Sequence, residues 1–467
     1  MLPRRTRAVA FAVALGWLAL VGGTLALPPA AGAVTTTRVS QRYAIIASLD
    51  VATGRLDAIQ TLLLTNRAPR PIDHLNLSVL SRAFGYLTMD RAITVDGEPV
   101  TTVWTTTTNL RLELPAPLRP HATATIRVPF RLEVGSSGGA FTARLSRDAG
   151  VLSFGHWFPI LSREHDGYAV GDPQVSFNAD LISLDLTTTT PLPRDAVACP
   201  GLVAAPETRG TRWSCRTANV RDFSFVVNPA FRLTTRRVGL VDLRVYTQTV
   251  SGARTADMAS SALERLSELY GRYPWPDLVM AEVGAVGGFS MEFPRMIHLT
   301  RSKVTDAYVV NHEVAHMWFY AQLGNDQMLE PWLDEGFADF NARWLMGIGE
   351  NQCSSRPVDS PVFAWAAGLT TGGDWLSCDG YFHAVFYRST EFLNAVRGRM
   401  GNEAFFGAIR GFLDEHRYGV ASGADLLRHL ERSTDADLSP IYRAYLADYR
   451  PPRIPALPRM PLRQSGA

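Results

Sequence analysis

The sequence predicts an α+β chain in two structured parts, an antiparallel saddle or sandwich over residues 34–237 and a mainly helical part over 238–450. Three observations carry this. Apolar and polar residues alternate at period two in several stretches up to about residue 235, and beyond residue 238 the spacing becomes helical. A His-Glu-x-x-His segment lies inside the helical part. With 46% hydrophobic and 19% charged residues in 467, the composition suits packed domains and excludes wholesale disorder. Lysine and arginine number 46 against 44 acidic residues, so no basic excess points to nucleic acid.

Residues 1–33 read as an export signal. Arg4, Arg5 and Arg7 precede an apolar run from Ala8 to Leu27, and Ala31-Gly32-Ala33 supplies the small residues of a cleavage site. An uncleaved anchor is the other reading, since about 20 apolar residues just span a bilayer. Gly16, Gly22 and Gly23 weaken such a helix and favour cleavage. The chain is therefore expected to be exported, either secreted or held in the cell envelope, with membrane contact only if the segment is retained. The four cysteines fit an oxidising compartment. Cys199 lies near Cys215 and Cys353 near Cys378, so two local disulfides are expected. Neither pair has the close spacing that a thiolate zinc site prefers.

In the first part, Leu75, Leu77 and Val79 alternate with polar residues, as do Leu110, Leu112 and Leu114, and Ile182, Leu184 and Leu186. The clearest run is Ile126, Val128, Phe130, Leu132 and Val134. Pro129 places that strand at an edge, because proline has no N–H to give a ladder. In the second part, Met258, Ala262, Leu263, Leu266 and Leu269 share one face of a helix over 255–270, and Tyr273-Pro274-Trp275-Pro276 ends it. Two short strands are expected within 277–300, several helices after them, and a Pro-rich tail over 451–467.

The chemistry concentrates in Asn311-His312-Glu313-Val314-Ala315-His316. Residues four apart share a helix face, so both imidazoles can reach one ion. Glu313 then stands beside the remaining coordination position, where it can take a proton from water. Two surface histidines framing a glutamate would be the plainer reading, but the downstream segment argues against it. Trp332-Leu333-Asp334-Glu335-Gly336-Phe337-Ala338-Asp339 sets Glu335 after an 18-residue gap from His316. A second helix can present Glu335 as third ligand. Three protein ligands with one position left is the catalytic pattern, whereas structural zinc is closed by four. Asp339, one turn beyond Glu335, is expected to accept a hydrogen bond from His312 and fix its tautomer. A plain charge at a helix start is the alternative.

In these residues the chain resembles the gluzincin metallopeptidases, and more narrowly the membrane alanyl aminopeptidase family, which includes leukotriene hydrolase. Tyr270-Gly271-Arg272-Tyr273-Pro274-Trp275-Pro276, Asp425-Leu426-Leu427 and Asp437-Leu438-Ser439 are similar to further segments of that family. The resemblance implies a saddle-like N-terminal domain and a thermolysin-like zinc peptidase domain. It implies one Zn2+ per chain on His312, His316 and Glu335, with Glu313 activating water and later protonating the leaving amine. It also implies peptide substrates with a free N-terminus. Phe289-Ser290-Met291-Glu292-Phe293 matches the family's Gly-x-Met-Glu-Asn strand, so Glu292 would hold the substrate's α-amine and the strand edge would pair with substrate backbone. The family's large C-terminal helical domain is expected to be absent, because the sequence stops at 467.

Two positions depart from the family pattern. Phe289 replaces its glycine, and its transition-state tyrosine falls on Phe386. Tyr381 and Tyr387 are the neighbouring candidates for a catalytic hydroxyl, with His383 as a further donor. An exported zinc aminopeptidase is the leading expectation. The alternatives are a cell-envelope binding protein that keeps the zinc fold with little catalysis, and a hydrolase of a non-peptide substrate.

Overall fold

Val39–Asp50 pairs along its whole length with Arg55–Asn66, from Val39 opposite Asn66 to Asp50 opposite Arg55, and buries every second side chain. This is the period-two pattern expected of a half-buried antiparallel ladder. In the computed structural model the described residues are 39–137, 141–162, 178–284, 289–327, 330–349 and 383–446. All belong to one compact unit, Val34–Ala467. The Cys353–Cys378 expectation and the 1–33 signal lie outside the described residues.

Around this hairpin a large sheet runs in the order Leu202–Ala204, Arg209–Thr217, Leu181–Pro193, Val39–Asp50, Arg55–Asn66, Thr123–Glu133, then Thr94–Val95 and Glu98–Pro99. One pairing departs from the antiparallel expectation: Val39–Asp50 and Leu181–Pro193 run parallel. Thr123–Glu133 is also not an edge strand. It pairs with Arg55–Asn66 on one side. On the other, two short strands meet it at Ile126–Arg127 and at Arg131–Leu132. Pro129 falls between those two contacts, where its missing N–H costs no ladder bond. Trp157 and Phe158 are core residues, the Trp157 indole donating to the Phe223 carbonyl at 3.1 Å. A disulfide joins Cys199 and Cys215, as their spacing suggests.

A four-stranded sheet of Arg232–Val238, Val241–Thr247, Asp277–Val283 and Met296–Thr300 opens the second part. The expected division at 237/238 cuts its first hairpin, because Arg232–Val238 pairs throughout with Val241–Thr247. Between its second and third strands runs α1 (Ala253–Tyr270), with Ala262, Leu263 and Leu266 buried as the periodicity requires. α2 (Ala307–Ala315) and α3 (Glu335–Met346) follow, then α4 (Arg388–Met400), α5 (Asn402–Glu415), α6 (Gly423–Arg432) and α7 (Ser439–Tyr445). Each of the two middle helices has its start fixed by an aspartate. The Asp306 side chain accepts from the N–H groups of Tyr308 and Val309, and Asp334 from that of Glu335. Gly347, at φ 63°, closes α3 in the left-handed conformation that glycine takes most readily. Among the described residues no helix is long and apolar enough to cross a membrane.

Candidate metal centre

α2 carries His312 and Glu313, and His316 caps its C-terminal end in helical conformation. The two imidazoles therefore share one face. α3 packs against α2 and brings Glu335 to that face in its first turn. The result is a triangle of donor atoms. His312 Nε2 lies 3.1 Å from His316 Nε2, and Glu335 Oε2 lies 3.1 Å from His312 Nε2 and 3.4 Å from His316 Nε2. Tetrahedral zinc with ligand bonds of 2.0–2.1 Å separates its ligand atoms by about 3.3 Å, so the triangle fits such an ion.

The charge environment fits as well. Donor atoms of Glu292, Glu313 and His316 lie within 4.8 Å of one another, and all three residues are buried. Burial, Glu292 and Glu335 together push the Glu313 carboxyl well above the ordinary glutamate range. Burial alone would lower His316, but the carboxylates of Glu292, Glu335 and Glu313 outweigh it and raise the imidazole to about 10. Glu335 shows the converse: against burial, its bonds to His312 and His316 hold it down at about 2. Asp334 is pushed up to about 8 by burial and the adjacent Glu335. Clustered buried carboxylates with two imidazoles favour a divalent cation at their centre. Glu313 Oε2 is buried without a hydrogen-bond partner among the described residues, as a group kept for a reactant would be.

The outer contacts differ from the expectation at one residue. Asp339 is fully buried but its recorded bonds do not go to His312. Its Oδ1 accepts from the Tyr308 hydroxyl, and its Oδ2 accepts from Thr390 Oγ1 at 2.6 Å and Arg343 Nε at 2.9 Å. His312 Nδ1 is buried with no partner among the described residues. The reason is positional: Tyr308, one turn before His312 on α2, reaches Asp339 first and stacks beside the His312 ring at 5.9 Å. Asp339 thus supports His312 through an aromatic ring. His316 is held directly, its Nδ1 lying 3.1 Å from the Phe319 carbonyl. Sequence reasoning passed over Tyr308; its place four residues before His312 was the available signal.

Glu292 lies at the outer edge of the four-stranded sheet. Met291 and His298 exchange backbone bonds of 2.8 and 2.9 Å, which folds the segment back on Met296–Thr300. Phe386 lies in a single π-helical turn, His383–Tyr387, and its ring stacks on His312 at 5.6 Å with a 10° interplanar angle. Tyr387 is turned toward α3, the Arg343 guanidinium lying 5.2 Å from its ring centre. Tyr381 lies outside the described residues.

No family model matches the chain. Its sequence is 24% identical over 218 residues to Aminopeptidase N of Lactobacillus helveticus, which covers 41% of this chain and 26% of that protein. It is 27% identical over 174 residues to Aminopeptidase N of Streptomyces lividans, covering 32% and 20%, and 27% identical over 137 residues to the membrane alanyl aminopeptidase of Heliothis virescens, covering 27% and 14%. The matched stretches thus span less than a third of these relatives' own lengths. Among solved structures, the M1 zinc metallopeptidase of Deinococcus radiodurans superposes with a TM-score of 0.62 at 20% identity, covering 89% of this chain and 95% of that one. A variant of the same protein bound to a Tyr-Ser-Ala substrate gives 0.63 at 19%. The two-part fold is therefore that of the M1 zinc metallopeptidases. In sequence and in fold, the chain is related to the membrane alanyl aminopeptidase family of gluzincin metallopeptidases.

Proposed function

We propose that the chain is an exported zinc-dependent aminopeptidase that hydrolyses the N-terminal residue of peptides. The observation that carries this is the convergence of His312, His316 and Glu335 donor atoms at 3.1–3.4 Å, with the Glu313 and Glu292 carboxylates beside them. His312, His316 and Glu335 would hold one Zn2+ per chain. The ion, when bound, would supply Lewis acidity toward the scissile carbonyl and the attacking water. Glu313, buried beside the donor triangle, would take a proton from that water and return it to the leaving amine. Glu292 pairs with the α-ammonium, so a blocked N-terminus loses a charge-assisted bond. The edge position of the Glu292 segment suits pairing with substrate backbone.

A specific observation favours a second reading, a zinc protein with weak turnover. The position expected to supply a transition-state hydroxyl is Phe386, which packs on His312 and has no donor. Phe386→Tyr is then expected to raise kcat by about tenfold at unchanged zinc content. The deciding assay gives the zinc-loaded protein a panel of aminoacyl fluorogenic amides and their N-acetyl counterparts, with Glu313→Gln as control. Turnover confined to free amines and lost in the control supports the aminopeptidase. One bound zinc without turnover supports the second reading, and turnover of both series places the activity outside aminopeptidases.

A further inference from the structure

We infer that Phe293 and Arg295 are positioning residues for Glu292, clamping its hairpin to the β-rich part so that recognition of a substrate amine depends on that part. The inference rests on the reading of Glu292 as the amine anchor.

Arg295 has φ +65°, a left-handed conformation that a long side chain keeps only when its surroundings hold it there. Its buried guanidinium supplies that hold. Nε bonds Asp277 Oδ1 at 2.9 Å, Nη2 bonds the same oxygen, and Nη1 donates to Thr217 Oγ1 at 2.6 Å. Asp277 is itself fixed by Arg244 and by the Gly201 N–H at 2.8 Å. Thr217 and Gly201 belong to the β-rich part, flanking the strand end tied by Cys199–Cys215.

Phe293 makes the second hold. It is fully buried, its ring 4.9 Å from that of His156 and 4.7 Å from that of His298. It fills the space over Gly155, where any Cβ would fall 2.1 Å from Phe293 Cζ. His156 is in turn held by Arg144 on Nδ1 at 3.1 Å, with Asp222 Oδ2 lying 3.1 Å from its Nε2, all of them buried. Glu292 is thus adjacent to one pinned residue and three positions from another. Both pins reach across to the β-rich part. A carboxylate displaced by about an ångström from a fixed ammonium loses much of a charge-assisted bond.

The test uses the zinc-loaded chain and calorimetric titration with leucine amide and N-acetyl-leucine amide. Wild type is compared with Glu292→Ala, Arg295→Gly and Phe293→Leu, and zinc content is measured for each. Glycine accepts the positive φ, and Arg244 continues to pair with Asp277, so Arg295→Gly removes the clamp at little backbone cost. Glu292→Ala is expected to erase the preference for the free amine. Arg295→Gly and Phe293→Leu should each reduce it about tenfold by weakening only the free amide, with KM rising more than kcat falls and zinc content unchanged. If both variants keep the wild-type preference while Glu292→Ala loses it, the clamp is wrong and the anchor stands. Equal weakening of both amides means packing alone and also overturns the clamp. An undiminished preference in Glu292→Ala overturns the anchor, and the clamp with it.

Discussion

The α2–α3 pair and the Glu292 hairpin supply carboxylates that meet at His316, yet they are built in opposite ways. α2 and α3 are defined by local rules: an aspartate caps each start, four-residue spacing aligns the imidazoles, and Glu335 follows in the first turn of the neighbouring helix. The hairpin has little local support. One narrow backbone bridge and a turn shape it, while its side chains are fixed by residues such as Thr217, 78 positions away. The comparison teaches that a site can combine a motif that any local reading finds with a segment, here the proposed amine anchor, that only distant contacts place.

The largest effect expected on that contrast comes from Glu313→Gln. It should lower turnover about a thousandfold while zinc content and free-amine preference stay as in wild type, measured by kinetics, metal analysis and titration. Loss of zinc or of the preference would show that the two regions are not separable. Next in size, replacing both Cys199 and Cys215 by serine should lower stability by about 3 kcal/mol in thermal unfolding. Because Gly201 and Thr217 flank this bridge, the folded variant should lose free-amine preference more than zinc affinity; the reverse order would break the comparison.

A third test concerns only the helical part. Glu330 accepts the Gly423 N–H at the start of α6 at 2.9 Å. Burial, reinforced by Asp326 and Asp425, pushes its carboxyl up to about 7 despite that bond. A carboxyl whose folded pKa exceeds its unfolded value penalises the charged form, so its contribution to stability is lost as pH rises from about 4.5 through 7. Glu330→Gln keeps the acceptor without the charge. It should match wild type near pH 4.5 and exceed it by roughly 3 kcal/mol at pH 8 in paired thermal scans. Equal curves at both pH values would refute the buried titration. The smallest effect is sought at Tyr308. If Asp339 supports His312 only through this ring, Tyr308→Phe should weaken zinc by less than about tenfold in a chelator competition. A loss as large as the roughly 10- to 100-fold that a hydrogen-bonded carboxylate gives a ligand histidine would show that the Tyr308 hydroxyl does more than hold the ring in place.

Much of the site was legible in the residues themselves. His312 and His316 four apart, Glu335 in its own helix start and Glu313 between the imidazoles needed only helix geometry and ligand chemistry. The alternating strands were legible for the same reason, since side-chain period and burial are coupled along each strand. The parallel pairing of Val39–Asp50 with Leu181–Pro193 was not, because alternation fixes which face is buried and leaves strand direction open. Pro129 misled in a related way: the missing N–H was read correctly, but a gap between two short partners satisfies it as well as an edge does.

The sequence by itself determined the candidate donor set, the helical carrier and the alternating sheets, because each follows from spacing within a turn or a strand. Only the tertiary structure decided that Asp339 meets Tyr308 instead of His312, that Phe386 lies on the His312 ring, and that Arg295 and Phe293 reach into the β-rich part. Those outcomes turn on which of several side chains reaches a shared space first, and close packing between distant segments settles that competition where local periodicity has no bearing.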